Sequence, residues 1–298
     1  MTRSRTAKAP RPKVEGSSSG RARVVAVANQ KGGVGKSTTA VNLAAALAEQ
    51  GRKVLVVDLD PQGNASTGLG IEPDRRETTT YHVLAGGISA ERAVMETHLP
   101  GLWAIPSTID LAGAEIELVS QLSREMRLAR ALEGLDAAYD FIILDCPPSL
   151  GLLTVNALAA ADEIVVPIQC EYYALEGLGQ LLRNVRLVQQ SLNPNLRLSG
   201  IVMTMYDPRT KLSEQVVAEV RRFFGARVYD SIIPRTVRLS EAPGYGQPIT
   251  SYDPSSKGAR AYRALATEVM ERPISSEPLP TEDLPAVILP EPTPGDDS

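Results

Sequence analysis

The stretch Asn29–Thr39, NQKGGVGKSTT, decides the fold. It is a phosphate-binding loop with one position changed. The common pattern is G-x-x-x-x-G-K-[ST], and stepping back from Lys36 to its first glycine lands on Gln30. A second lysine, Lys31, stands beside it inside the glycine-rich run. Upstream, RVVAVAN from Arg23 is a short β-branched run, as a buried strand requires. Downstream, STTAVNLAAALAEQG is an Ala/Leu-rich stretch closed by Gly51, the signature of a helix with a C-terminal glycine. A glycine loop that leaves a strand and opens a helix is the context in which this motif binds a nucleotide.

The chemistry follows from the residue types. Gly32, Gly33 and Gly35 let backbone N–H groups crowd around phosphate oxygens, with Val34 between them. The helix N-terminus adds a favourable dipole for an anion. Lys36 is placed to reach the β- and γ-phosphates, the Ser37 hydroxyl to ligate Mg²⁺, and Thr38 completes the loop. Asp145 ends the apolar run FIIL and fits a carboxylate that holds Mg²⁺ directly or through water. Asp58 and Asp60 end KVLVVDLD. In a parallel sheet these strand ends line the ligand crevice, and the turn-rich DPQGN and DCPPSLG that follow suit movable loops.

Working outward, EIVVPIQC from Glu163 and LRLSGIVMTM from Leu196 predict further strands. Helical stretches lie between them, such as LSREMRLARALEGL and LEGLGQLLRNVRLVQQSL, with KGARAYRALATEVM (Lys257–Met270) last. Continuous apolar strands alternating with helices predict an α/β, doubly wound, mostly parallel sheet with helices on both faces. Residues 1–22 hold little to bury and read as a disordered basic arm; residues 271–298, rich in proline and acid, read as a disordered tail; 23–270 is the folded unit.

The 298-residue chain has a net charge of −4, unevenly spread. Residues 24–182 hold ten bases and twenty acids, while 183–263 hold thirteen bases and six acids. That asymmetry admits either a polyanion partner or a solvated surface of mixed sign. No apolar run approaches a membrane span of about 18 residues. Cys146 and Cys170 form no CxxC, so neither a disulfide framework nor a zinc site is supported, and a reducing cytoplasm fits.

Taken together, KGGVGKST, DLDPQGN, DCPPSLG, QCEYYALEGL, MTMYDPRT and IPRTVRLSEAP resemble the ParA/Soj-type chromosome-partitioning ATPases, the deviant Walker A group of P-loop NTPases. The resemblance covers about residues 23–270. It implies ATP and Mg²⁺ as ligands, and a homodimer that sandwiches nucleotide. Lys31 matches the signature lysine that reaches the partner's phosphates, and Gly32 the glycine where bulk obstructs dimerisation. Asp60 matches the carboxylate that orients the attacking water; Asp58 supports the magnesium shell; Pro234 and Arg235 fall near the adenine. Arg209 and Arg238 match positions that contact DNA backbone, and Lys257 and Arg260 extend the basic segment. Binding would be to nonspecific double-stranded DNA, since no base-reading motif is present. A ParB-type centromere-binding protein would stimulate hydrolysis, and the protein would be cytoplasmic and nucleoid-associated, with no membrane. Plasmid partitioning, a MinD-like membrane cycle, an iron–sulfur reductase or carrier and a passive scaffold are the competing readings. The loop motif KGGxGK[ST] alone would also admit the membrane-cycling ATPases and the iron–sulfur reductases and carriers.

Overall fold

The computed structural model describes residues 20–171 and 174–272. Eight strands form one sheet: β1 Arg23–Val27, β2 Val54–Asp58, β3 Met95–Glu96, β4 Leu102–Ile105, β5 Phe141–Asp145, β6 Glu163–Gln169, β7 Arg197–Tyr206 and β8 Val228–Pro234. Their order across the sheet is β3-β4-β2-β5-β1-β6-β7-β8. Among the described residues, only the β3–β4 pairing is antiparallel. The first strand therefore sits centrally, and its C-terminal end, where the chain turns into the glycine loop, opens at the middle of the sheet.

The central strands are buried on both faces, which explains their unbroken apolar sequence. One core lies under helix α1 (Lys36–Glu49) and the last helix, Lys257–Glu271, around Leu43, Leu47, Tyr262 and Leu265. The other lies under the helices that follow β5 and β6, around Leu153, Leu178, Leu181 and Val185. Arg23 joins the layers. Its guanidinium donates from Nε and Nη2 to both oxygens of the buried Glu163 at 2.6 and 2.9 Å, and from Nη1 to the Val269 carbonyl.

The five strands expected from sequence are present, and three more complete the sheet. Leu102–Ile105 is only four residues, and Met95–Glu96 only two. In β8, Asp230 and Ser231 interrupt the apolar pattern where the ladder to β7 shifts register between Val228 and Ile232, and their backbone N–H groups donate to the Glu268 carboxylate. The helix expected from Leu122 starts later, at Arg127 after a 3₁₀ turn, because Ser123 takes a left-handed backbone (φ 51°). At its ends the folded unit reaches slightly past 23–270: Ala22 is buried, Arg21 pairs with Asp136 and Asp162, and Arg272 lies over the Tyr229 ring. Most of the expected arm and tail falls outside the described residues.

Candidate nucleotide site

The glycine loop runs from β1 into α1 and is pinned at three points. The Asn29 amide donates to the Pro167 carbonyl at 2.8 Å and accepts from the Lys31 N–H at 3.0 Å. The Thr204 hydroxyl, from β7, donates to the Val34 carbonyl at 2.8 Å in a buried setting. Gly33 and Gly35 have φ of 76° and 86°, left-handed conformations in which a side chain would be strained. Gly35 is the N-cap of α1 and supplies no side-chain acceptor. The first-turn N–H groups of a 14-residue helix are thus directed to whatever anion fills the loop.

Those groups wall a cleft of about 400 Å³, lined on one side by Gly32, Gly33, Gly35, Lys36, Ser37 and Thr38. Asp60, Gln62, Asn64, Thr67 and Gly68 line the other. Val34 is buried behind the loop and contributes its backbone. The Lys36 ammonium is drawn into the loop, donating to the Lys31 carbonyl at 2.9 Å. Burial lowers its pKa, while Asp145, Cys146 and Asp60 oppose the change. Lys31 is turned the other way. Its ammonium meets Glu171 at 2.7 Å outside the loop, with both side chains nearly half exposed. A Cβ placed on Gly32 would meet nothing within 4 Å, so nothing in its own chain forbids a side chain there.

Strand register sets the carboxylates. Asp58 of β2 lies directly beside Asp145 of β5, at the C-terminal edge of the sheet. Both oxygens of Asp145 are buried without a hydrogen-bond partner. Burial and the neighbouring carboxylates Asp58 and Asp60 push its pKa well up, against the pull of Ser37 and Lys36. Two unpartnered buried oxygens beside the Ser37 hydroxyl fit a divalent cation such as Mg²⁺. Among the described residues no cluster of three or more His, Cys, Asp or Glu could hold a metal. Few protein oxygens is what Mg²⁺ takes when phosphate and water complete its shell.

Asp58 also serves its own chain. Its Oδ2 accepts from the Ser66 N–H and hydroxyl at 2.8 and 2.6 Å, and its Oδ1 from the Asp60 N–H at 3.1 Å. These bonds tie it to helix α2 (Asn64–Gly68) and to the turn that carries Asp60. Burial raises its pKa to about 6, with the Ser66 hydrogen bonds opposing. Asp60 itself lines the cleft. Pro234 and Arg235 stand outside the cleft lining; Met205, Pro243 and Gln247 take that wall. Met205 has φ 53°, a conformation unusual for a side chain of its size. Asn29, Asn42, Thr204, Met205, Pro243 and Gln247 are among the residues that sequence reading missed, as are Gln62, Asn64, Thr67 and Gly68, although MTMYDPRT, LSEAP and DPQGN flag several of their neighbourhoods.

The basic positions lie on the same half of the sheet, beyond β7 and β8. Arg209, 86% exposed, is held by Asp207 through both oxygens at 2.9 and 2.7 Å. Arg238 lies between Glu241 and Asp253 and over the Tyr252 ring. Lys257 and Arg260 are exposed on the first turn of the last helix. Cys146 and Cys170 are both buried, and burial pushes the Cys170 thiol up to about 12. That suits inert core residues, not cluster ligands.

A strand–glycine loop–helix unit at the centre of a doubly wound sheet, with a lysine in the loop and a buried aspartate opposite, defines a P-loop nucleotide-binding protein. The family model described as an AAA domain matches residues 22–198. The sporulation initiation inhibitor protein Soj of Bacillus subtilis is 57% identical over 247 residues, covering 83% of this chain and 98% of its own. The chromosome partitioning protein ParA of Myxococcus xanthus is 54% identical over 256 residues, covering 86% and 90%. The chain belongs to the ParA/Soj family of chromosome-partitioning ATPases. Among solved structures, cobyrinic acid a,c-diamide synthase from Mycobacterium smegmatis with bound ATP analog and magnesium is 46% identical, with a TM-score of 0.73 over 83% of this chain and 93% of that one.

Proposed function

We propose that this ATPase works as a nucleotide-gated DNA anchor for a partitioning cargo. The observation that carries it is the division between the two loop lysines, one drawn into the cleft and one turned outward. Lys36 serves the nucleotide of its own chain. Lys31 leaves Glu171 to reach the phosphates across a sandwich dimer, and Gly32, open in this chain, is the point where the partner approaches. Breaking an ion pair this exposed costs about 0–1 kcal/mol, so the exchange is easily driven by a phosphate of higher charge.

Phosphoryl transfer to water depends on positioning and charge neutralisation. Asp60 orients the water, and Asp58 holds the Asp60 turn in place. Asp145 and Ser37 would hold Mg²⁺, which would neutralise phosphate charge. The Mycobacterium smegmatis structure, with its ATP analog and magnesium, supports this ligand pair. A second cation supplied by the partner chain acts as an arginine finger in trans does, so hydrolysis requires the dimer.

The dimer doubles the basic face made by Arg209, Arg238, Lys257 and Arg260, so ATP raises affinity for nonspecific duplex DNA through phosphate contacts. Stimulation by a ParB-type partner then releases the protein, which cycles on the nucleoid in the cytoplasm. Among the described residues no helix is long and apolar enough to cross a membrane. The test is ATP turnover with neither DNA nor ParB, with each alone and with both. Low basal turnover that rises several-fold with both present is expected; turnover indifferent to both would overturn the reading.

A further inference from the structure

The segment between β8 and the last helix has two working sides. On the inner side, Pro243 and Gln247 line the nucleotide cleft, as do Thr67 and Gly68 of α2. Between them Gly246 takes φ 62°, and a Cβ there would fall 2.9 Å from the Gly70 Cα. The turn is therefore pressed against the chain leaving α2, the helix that Asp58 caps and that follows the Asp60 turn. A second tie is buried: the Ile249 N–H donates at 2.6 Å to the side chain of Asn42, a residue of α1 that also lines the cleft.

On the outer side, the same segment carries Tyr245, 68% exposed in a 3₁₀ turn (Ala242–Tyr245). Its ring stacks on Tyr252 with centroids 5.0 Å apart. Arg238 lies over the other aromatic, 5.9 Å from the Tyr252 centroid, and Tyr252 donates its hydroxyl to Glu241 at 3.2 Å. Lys257 and Arg260 flank this patch from the last helix, where the space over Gly258 is filled by Leu239 of the Arg238 helix. Glu241 and Asp253 both face Arg238, so part of the positive charge is already matched within the chain. A neutral, exposed hydroxyl beside these bases adds a phosphate donor that carries no desolvation cost of a charge.

We propose that Tyr245 contacts DNA phosphate or sugar, on a turn that also walls the nucleotide cleft, so that nucleotide occupancy sets the position of the DNA-facing patch within one chain. This rests on the DNA-binding reading above and adds to it a link that does not need the second subunit. Filling the cleft displaces or orders Pro243 and Gln247, and the turn between them cannot respond without moving Tyr245.

Two measurements test it. The first titrates a random-sequence duplex by fluorescence anisotropy at several salt concentrations, with saturating non-hydrolysable ATP analogue and the dimer verified by sedimentation. Tyr245→Ala is expected to weaken binding about three- to tenfold, as loss of one hydrogen bond does, while the slope of log affinity against log salt stays unchanged because no cation is removed. Arg238→Glu in parallel is expected to weaken binding and flatten the slope. If Arg238→Glu has no effect, the DNA-facing reading itself fails. If it acts and Tyr245→Ala does not, only the present proposal fails. The second measurement follows hydrogen exchange in Gly32→Val, at an analogue concentration that a fluorescent-nucleotide titration of the same variant shows to be saturating and with the monomer verified by sedimentation. Amides of residues 243–252 are expected to exchange more slowly with Mg²⁺ and the ATP analogue than without them. Unchanged exchange across that segment would overturn the link.

Discussion

At the residue scale, the two lysines and the buried aspartate make separable predictions. Lys36→Ala removes the cation drawn into the loop and is expected to weaken nucleotide binding itself, read by fluorescent-nucleotide titration. Lys31→Ala removes only the outward cation, so binding is largely retained while steady-state hydrolysis is lost. Normal turnover by the Lys31 variant would disprove the division of labour. Asp145 predicts a stability effect of opposite sense. Burial and two neighbouring carboxylates raise its pKa in the folded chain. A raised carboxyl binds its proton more tightly folded than unfolded, so its contribution to stability is present at low pH and lost as pH rises through the folded value. Asp145→Asn is therefore expected to raise the melting temperature of the nucleotide-free protein at neutral pH, with the gain shrinking as pH falls toward the ordinary carboxylate range. The same variant loses the added stability that Mg²⁺ and nucleotide give the wild type. A melting temperature lowered equally at every pH would mean that Asp145 holds the fold together and is not a strained ligand.

At the element scale, the glycine loop is only as rigid as the strands behind it. The Thr204 hydroxyl on β7 is bonded to the Val34 carbonyl in a buried setting. Replacing it by the near-isosteric Val leaves that carbonyl without its partner, a cost of about 1–3 kcal/mol. For a domain of this size each kcal/mol corresponds to roughly 2–4 °C in melting temperature. Thr204→Val is expected to melt several degrees lower and to bind nucleotide more weakly, with Thr204→Ser restoring both; an unshifted nucleotide affinity would detach β7 from the site. This element also shows what sequence reading reaches. Strand, loop and helix from Arg23 to Gly51 are legible because local pattern and motif agree, and so are the aspartates that end apolar runs. Thr204 and Asn29 are not legible, because their partners lie 170 and 138 residues away in sequence. That Asp58 ends a strand is legible, but the three donors folded around it, which tie it to the Asp60 turn and to Ser66, are not. The edge strand β8 is not legible, because Asp230 and Ser231 break its apolar run where its pairing with β7 shifts register, and their N–H partner, Glu268, stands on a distant helix.

At the scale of the whole molecule, charge is the property that segments share. Residues 1–23 hold seven Lys/Arg; of these, Arg21 and Arg23 are engaged by Asp136, Asp162 and Glu163, so they belong to the folded unit. Residues 1–19 then carry five Lys/Arg and one Glu, and residues 273–298 carry six acids and no base. Residues 183–263, which include the proposed DNA face, hold a net +7. Each phosphate neutralised on duplex DNA contributes about 0.9 to the slope of log affinity against log salt. If the arm adds phosphate contacts, removing residues 1–19 lowers DNA affinity and flattens that slope by up to about 4. An acidic segment tethered to the same chain competes with DNA at high effective concentration, so removing residues 273–298 is expected to raise affinity, most strongly at low salt where screening is weakest. The comparison runs the full chain, each single truncation and residues 20–272 with saturating ATP analogue across 50–200 mM salt, where such slopes are well resolved. Four superimposable salt curves would confine DNA binding to the folded unit and leave the terminal segments without a part in it.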